Sequence, residues 1–284
     1  MRIENARLQK RVNSGLTYLL IATVALIAIF PILWAISTAF KTPQQQYQWP
    51  PRLIPSPIYL QNFSRLFEIM KMGRYLFNST TVAVLSMIGM CISSSLAAYA
   101  FARLRFRGRD FLFGVLLATM MIPFALTMIP TFLVFTRLKL VDTLVPLIAP
   151  NWFGNAFMVF LLRQAYMAIP QDMVDAAKLD GASHFQIFLN IFVPLTMPTL
   201  VTVALLQFLF SWNDLLGPLI YINNPDLYTV QRGLSLLLGR AGTGIDKRGV
   251  SIAGALLGMV PMLAMYLFGQ RYFITGLTRS GIKG

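Results

Sequence analysis

Two groups of polar and aromatic residues lie inside long apolar stretches of this 284-residue sequence, where polar side chains are costly. The first group comprises Asn151, Trp152 and Asn155, and the second comprises Trp212, Asn213 and Asp214. Amide, carboxylate and indole groups suit a sugar or polyol, because hydroxyls form hydrogen bonds and apolar ring faces stack on aromatic side chains. Hydrogen bonds between helices, with no ligand involved, explain these residues equally well.

Side chains for catalysis or metal binding are scarce. His184 is the only histidine and Cys91 the only cysteine, so the chain cannot assemble a nucleophile–histidine triad or a histidine and thiolate metal cluster. The glycine-rich segment 239–244 lacks the Gly-Lys-Ser/Thr sequence of a phosphate-binding loop. We therefore predict no catalytic residue, no cofactor and no metal site.

The elements that position the polar groups are predicted to be membrane-spanning helices. The chain is 56% hydrophobic and only 12% charged, whereas soluble domains carry about 25% charged residues. Six apolar stretches have the roughly 20 residues needed to cross a bilayer core of about 30 Å. They lie near residues 15–40, 77–102, 111–136, 144–166, 197–221 and 251–270. The helical rise places both polar groups near the middle of the bilayer.

The basic residues indicate the orientation of these spans. The formal charge of +14 reflects the scarcity of acids and does not predict nucleic-acid binding, because the arginines and lysines lie in the connections between spans. They are densest in the N-terminal tail and in the short link 103–110. Dense basic segments stay in the cytoplasm, so we expect both termini and the loop 168–196 to be cytoplasmic. The first apolar run exceeds the 7 to 15 residues of a signal-peptide core and is predicted to be retained.

The loop 168–196, called the coupling loop below, is predicted to contain a helix, a turn and a second helix. Asp172 is a candidate N-cap for a short helix over 173–179, and Gly181 suits the left-handed conformation that ends a helix. Ser183 and Gln186 have capping-box spacing, and Pro194 and Pro198 mark where the second helix must bend into the next span. So short a helix is unstable alone in water, so a partner must hold it.

The spacing of residues in this loop resembles the EAA loop of binding-protein-dependent ABC importer permeases. The matching residues are Asp175, Ala176, Ala177, Asp180, Gly181 and Ala182, followed by Ile191 and Pro194. The resemblance implies that these residues dock into a groove of a cytoplasmic ATPase. The family usually has Glu at the first position, and Asp175 keeps the charge on a side chain shorter by one methylene. An ordinary connector with the same spacing by chance is the alternative.

Other segments resemble the smaller, second permease subunit of the maltose-type carbohydrate branch. They are Leu162-Arg163-Gln164 before Ile169-Pro170, Trp212-Asn213-Asp214 with Pro218-Leu219, and the ending Gln270 to Ile274, Gly276 to Thr278 and Lys283-Gly284. The resemblance implies a bacterial or archaeal cytoplasmic (inner) membrane and no enzymatic activity in this chain. It further implies a second homologous permease, an ABC ATPase dimer and an extracytoplasmic solute-binding protein as partners, with membrane lipid around them.

We therefore expect an all-α integral membrane protein, with six transmembrane helices and an EAA-type coupling helix between the fourth and fifth. It is predicted to be one domain over 1–284, with a cytoplasmic tail at 1–14, outer loops at 41–74 and 222–250, and the coupling loop. Its expected function is ATP-driven import of a sugar, oligosaccharide or related polyol.

Two other functions remain open. A secondary solute transporter is the alternative, although the spans carry no relay of carboxylates and histidines and no obvious inverted repeat. A non-transporting scaffold is the third, although it would not need the prolines found inside several spans.

Overall fold

The computed structural model describes residues 2–239 and 247–281, and it describes side-chain surroundings for 14–237 and 248–270. Every regular element in these residues is helical. The helices are α1 (Arg2–Ala39), α2 (Pro43–Gln46), α3 (Gln61–Ile69), α4 (Met72–Arg103), α5 (Arg109–Ala118), α6 (Phe124–Arg137), α7 (Val145–Ile148), α8 (Ala156–Met167), α9 (Gln171–Leu179), α10 (His184–Ile187), α11 (Val193–Leu195), α12 (Met197–Asn213), α13 (Leu216–Tyr221), α14 (Val230–Gly239) and α15 (Lys247–Gly281). The all-α prediction is confirmed.

Among the described residues, four helices are long and apolar enough to cross a membrane, and two bent pairs raise the number to as many as six. The first four candidates are 14–39, 72–103, 145–167 and 248–270, which coincide with the predicted first, second, fourth and sixth spans. The chain is therefore a multi-pass helical membrane protein.

The predicted third span, 111–136, is not one straight helix. The segments 109–121 and 124–137 meet at 100°. Pro123 lacks an amide hydrogen and forces the preceding Ile122 into an extended conformation (φ −83°, ψ 111°), which ends the first segment. Hydropathy alone did not reveal this break, because the residues on both sides of Pro123 are equally apolar.

A bend precedes the predicted fifth span, 197–221, and a break lies within it. The segments 184–195 and 197–213 meet at 80°, as Pro194 and Pro198 had predicted. The span was expected to continue to residue 221, but α12 ends at Asn213 and a separate short helix, α13, begins at Leu216.

Contacts divide the chain into two compact units. The first contains residues 1–70 and 236–257. In it, the buried Asn62 on α3 donates hydrogen bonds to the carbonyl oxygens of Ala39 (2.8 Å) and Lys41 (2.9 Å). Burial, together with the charge of Arg248, lowers the pKa of Lys41, whose ammonium lies 4.1 Å from the centre of the Trp34 ring. These contacts hold the end of α1 against the loop that follows it.

The second unit contains residues 71–235 and 258–284. Its core forms where α4 packs against α8 and α12, around Tyr99, Leu162, Tyr166 and Phe192. The buried face of α4 carries many small residues, namely Ala83, Ser86, Gly89, Ser94, Ser95 and Ala98. Small residues let membrane helices approach closely, where van der Waals contact stabilises the packing.

A cluster of polar contacts ties the segment 225–230 to the start of α4 within this unit. Lys71 donates to Asp226 (Nζ to Oδ1, 2.6 Å), which holds the pKa of the Asp226 carboxyl below its usual value. Asn78 donates to the carbonyl oxygens of Asp226 (2.9 Å) and Tyr228 (3.0 Å), and the amide of Val230 donates to the hydroxyl of a buried serine on α4. The beginning of α14 is therefore anchored on α4.

Candidate functional site

A cavity of about 570 Å³ lies in the second unit, within the range of about 300 to 1,000 Å³ typical of small-molecule sites. Its polar lining consists of Asn151, Asn155, Gln207, Ser211, Asn213, Asp214 and Thr229. The rest of the wall is apolar and includes Phe124, Leu147 and Phe210. The structure thus brings together the asparagines of the two groups that the sequence had separated by more than fifty residues.

Amide groups form a connected chain along one wall of the cavity. Asn151 donates from Nδ2 to the hydroxyl of Ser86 (3.1 Å) and to the carbonyl oxygen of Leu147 (3.0 Å). Gln207 donates from Nε2 to Oδ1 of Asn151 (3.1 Å) and to the hydroxyl of Ser211 (3.0 Å). These bonds fix the orientation of both amides. Sequence reasoning missed Gln207, although it is a polar residue within an apolar run and that signal could have identified it.

Asn155 and Asn213 leave complementary groups available at the cavity. Asn155 caps α8, because its Oδ1 accepts from the amide of Phe157 (2.9 Å). Asn213 donates from Nδ2 to the carbonyl oxygen of Leu209 (2.9 Å). Among the described residues, the Nδ2 of Asn155 and the Oδ1 of Asn213 have no partner. One residue therefore offers a donor and the other an acceptor.

Asp214 lines the cavity, and its carboxylate also accepts a hydrogen bond from a backbone amide. Its Oδ1 accepts from the amide of Gly217 (3.0 Å) at the start of α13. A side chain at position 217 would collide with the carboxylate, so glycine at that position leaves room for it. Asp214 is half-buried and holds the break between α12 and α13.

Neither candidate tryptophan belongs to the cavity lining. Trp212 is only 1% exposed, donates from Nε1 to the carbonyl oxygen of Gly258 (3.0 Å) and stacks on Phe208. Successive helix residues point about 100° apart, so Trp212 faces the interior while Asn213 faces the cavity. The Trp152 indole packs over Gly89. The aromatic side chains that do line the cavity are Phe124 and Phe210.

The coupling loop has the predicted helix, turn and helix, with one correction. Asp172 was predicted to cap a helix starting at 173, but α9 begins at Gln171 after Pro170, with no side-chain cap. Pro170 has φ −57°, which suits the residue before a helix. Asp172 lies in the first turn, where its negative charge interacts favourably with the positive end of the helix dipole. Gly181 has φ +81°, as predicted.

The capping box before α10 is also confirmed. The Ser183 amide donates to Oε1 of Gln186 (2.8 Å), and the Gln186 amide donates to the Ser183 hydroxyl (3.3 Å). Both ends of the turn are therefore fixed by local hydrogen bonds.

One surface of the coupling loop is exposed and mixes acidic and apolar groups. Asp175, Ala176, Asp180 and Gly181 are exposed, while Ala177 and Ala182 are half-buried against the core. Leu179, between them, is 89% exposed. A large apolar side chain and two carboxylates therefore lie together on this surface.

Comparison with known proteins identifies the family. Residues 89–273 match the family described as "Binding-protein-dependent transport system inner membrane component". The chain belongs to this permease family. The permease is 36% identical over 266 residues to the arabinooligosaccharides transport system permease protein AraQ of Halalkalibacterium halodurans, covering 93% of this chain and 94% of that protein. It is 29% identical over 273 residues to the lactose transport system permease protein LacG of Rhizobium radiobacter, covering 96% of this chain and 98% of that protein.

The fold has a close counterpart among solved structures. A bacterial ABC transporter involved in the import of the acidic polysaccharide alginate contains a chain that matches with a TM-score of 0.82, covering 93% of this permease and 97% of that chain at 23% identity. The family match identifies the permease as an inner-membrane component of an ABC importer. Such a component works with a second permease, an ATPase and a solute-binding protein, and hydrolysis of ATP belongs to the separate ATPase.

Proposed function

We propose that this permease carries a sugar, an oligosaccharide or a related polyol across the membrane. The observation that carries the proposal is the cavity, whose wall combines amide and hydroxyl groups with apolar surface. Hydroxyl-rich ligands need that combination, because each hydroxyl seeks a hydrogen bond while the carbon skeleton packs on apolar groups. The named substrates of the arabinooligosaccharide and lactose relatives support the same class.

The six candidate route residues receive different roles in this proposal. Asn155 and Asn213 contact the ligand directly through their unpartnered donor and acceptor. Asn151 and Asp214 shape the wall, since both amide atoms of Asn151 are hydrogen-bonded and Oδ1 of Asp214 accepts from the Gly217 amide. Trp152 and Trp212 support the wall from behind.

We infer six membrane spans with both termini in the cytoplasm. Four candidate spans and two bent pairs support the number six, and the dense arginines of the link 103–110 support the orientation. The 284 residues are proposed to act as one membrane domain, with a cytoplasmic tail at 1–14 and outer loops at 41–74 and 222–250.

We further propose that the coupling loop docks on the ATPase dimer through Asp175 to Ala177 and Asp180 to Ala182. The exposed Leu179 would enter an apolar pocket of the ATPase, and the carboxylates beside it would pair with basic groups at its rim. To change the ratio of the two conformations of a transporter from about 1:99 to 99:1, a partner must bind one conformation more tightly by about 5.5 kcal/mol. The ATPase supplies that free energy through this contact.

Reconstitution tests the proposed function. The permease, its second permease, the ATPase and the solute-binding protein would be placed in proteoliposomes with ATP, and uptake of arabino-oligosaccharides, malto-oligosaccharides, lactose and alginate oligosaccharides would be measured. We expect uptake of at least one neutral glycan that requires both ATP and the binding protein. Uptake driven by an ion gradient without the ATPase would instead establish the secondary transporter.

A further inference from the structure

Arg103, the last residue of α4, joins three parts of the coupling region. Its Nη1 donates to Oε1 of Gln171 (2.9 Å), and its Nη2 donates to the carbonyl oxygens of Tyr166 (2.6 Å) and Ile169. The guanidinium carbon lies 5.1 Å from the centre of the Phe192 ring. A single side chain therefore contacts the end of α8, the start of α9 and the segment after the turn.

These contacts depend on the shape of the guanidinium group. No carboxylate pairs with Arg103 in the part of the chain that the structure describes. Its charge is balanced by carbonyl oxygens at the C-terminal end of α8, where the helix dipole is negative. The planar fork of arginine reaches several acceptors at fixed angles, which the single ammonium of lysine cannot do.

Gln171 extends the contact from Arg103 to the proposed ATPase-binding surface. Its Oε1 accepts from Arg103, and its Nε2 donates to Oδ1 of Asp175 (3.0 Å). The side chain of Asp175, shorter than the usual Glu of the family, is thus oriented from its own helix. Arg103 fixes which way the Gln171 amide faces and so orients Asp175 indirectly.

The same face of α4 also holds the second arm of the loop. Tyr99, one helical turn before Arg103, places its hydroxyl 3.4 Å from Nδ1 of His184. Its ring packs against Phe188 (5.3 Å between centroids) and against Phe192 (5.0 Å). Both sides of the Gly181 turn are therefore attached to α4.

The other half of α4 reaches the cavity. Val82 and Met90 are part of its lining, and the Ser86 hydroxyl accepts from Asn151. Ser86 lies 17 residues from Arg103 (103 minus 86), or about 25 Å along a helix. α4 contains no proline, whereas α6 and α15 contain Pro130 and Pro261.

We propose that Arg103 is a positioning residue that locks the coupling loop to α4, so that α4 carries the displacement of the loop to the cavity wall. This inference rests on the proposed ATPase coupling. It adds that the motion travels along α4, in addition to α8 and α12, which connect directly to the loop.

Functional assays of Arg103 variants form the first test. In the complete transporter in proteoliposomes, Arg103→Gln is expected to lower ATP-driven uptake about tenfold, while the ATPase still assembles and its basal hydrolysis persists. Arg103→Lys should remain impaired, because the charge is kept and the fork is lost. The matched control is Arg105→Gln, since the exposed Arg105 has no partner among the described residues. Wild-type uptake by Arg103→Gln would overturn the inference.

A distance measurement in the transporter with Arg103 unchanged tests whether the coupling loop and α4 move together. It does not depend on whether the Arg103 variants fold. Spin labels at Leu96 on α4 and Leu189 in the coupling loop, both exposed, would be placed in a Cys91→Ala background. We expect the same label separation with and without ATP, because the two segments move together. A nucleotide-dependent change would overturn the inference even where ATP still drives uptake, whereas loss of ATP dependence in the unmodified transporter would overturn the proposed function.

Discussion

The polar residues of the cavity differ in what they already contact. Asn151 and Gln207 form a connected network with Ser86 and Ser211, and an amide held in such a network shapes a wall better than it binds a passing ligand. Asn155 and Asn213 each keep one polar group without a protein partner in the described residues. We therefore propose that ligand recognition involves these two residues.

Substitution separates ligand contact from wall structure at the adjacent positions 213 and 214. Asn213→Leu is expected to lower uptake about fivefold with little change in thermal stability, because it removes a ligand acceptor worth about 1 kcal/mol. Asp214→Leu should also lower stability by about 1 kcal/mol, since it removes the acceptor of the Gly217 amide in the first turn of α13. Asp214→Asn keeps an accepting oxygen and is the matched control. Uptake kinetics and melting temperatures would be measured. Normal uptake by both leucine variants would show that neither residue lines the substrate route.

At the scale of elements, short breaks between helices determine where the loop and the cavity lie. Pro123 divides α5 from α6, the segment at Pro194 and Pro198 turns the chain by 80°, and Asp214 separates α12 from α13. The Gly181 turn depends on glycine, because its φ of +81° lies in a region that residues with a side chain seldom occupy.

Gly181→Val is expected to impair uptake and ATPase stimulation strongly while the permease still inserts. A β-branched residue is strained by about 1 kcal/mol or more at positive φ, so α9 would shift relative to α10. Gly114→Val on α5 is the control, because no atom lies within 4 Å of a side chain added there and its φ is not positive. Full transport and ATPase stimulation by Gly181→Val would contradict the coupling proposal.

At the scale of the whole molecule, the exposed surface is rich in large apolar side chains. In α1, residues 14–33 are exposed throughout, as are Phe111 on α5 and Phe268 on α15. For a soluble protein such a surface would cause aggregation, whereas a multi-pass membrane protein can present it to lipid.

The orientation of the whole chain is tested by cysteine labelling in a Cys91→Ala background. A membrane-impermeant reagent added outside is expected to label Trp49→Cys, which replaces an 86% exposed side chain in the loop 41–74. It should label Ser183→Cys only after the membrane is permeabilised. The reverse pattern would overturn the cytoplasmic placement of the coupling loop and of both termini.

Local chemistry explains why much of this molecule could be predicted from its sequence. Apolar segments of sufficient length predicted the membrane helices. The Ser183 and Gln186 capping box, the positive φ of Gly181 and the bend at Pro194 and Pro198 depend on residues close together in the chain. The spacing of the residues in the coupling loop also predicted the permease family, because a motif carried by one short helix and turn is itself local.

Tertiary structure decided which side chains meet. Trp212 and Asn213 are neighbours in sequence, but the packing of α12 buries the indole and turns the amide to the cavity. The roles of Gln207 and Arg103 depend on partners 56 and 63 to 68 residues away. No local pattern predicts such contacts, because a helix can present any face to its neighbours and only the packing of α4, α8 and α12 selects one.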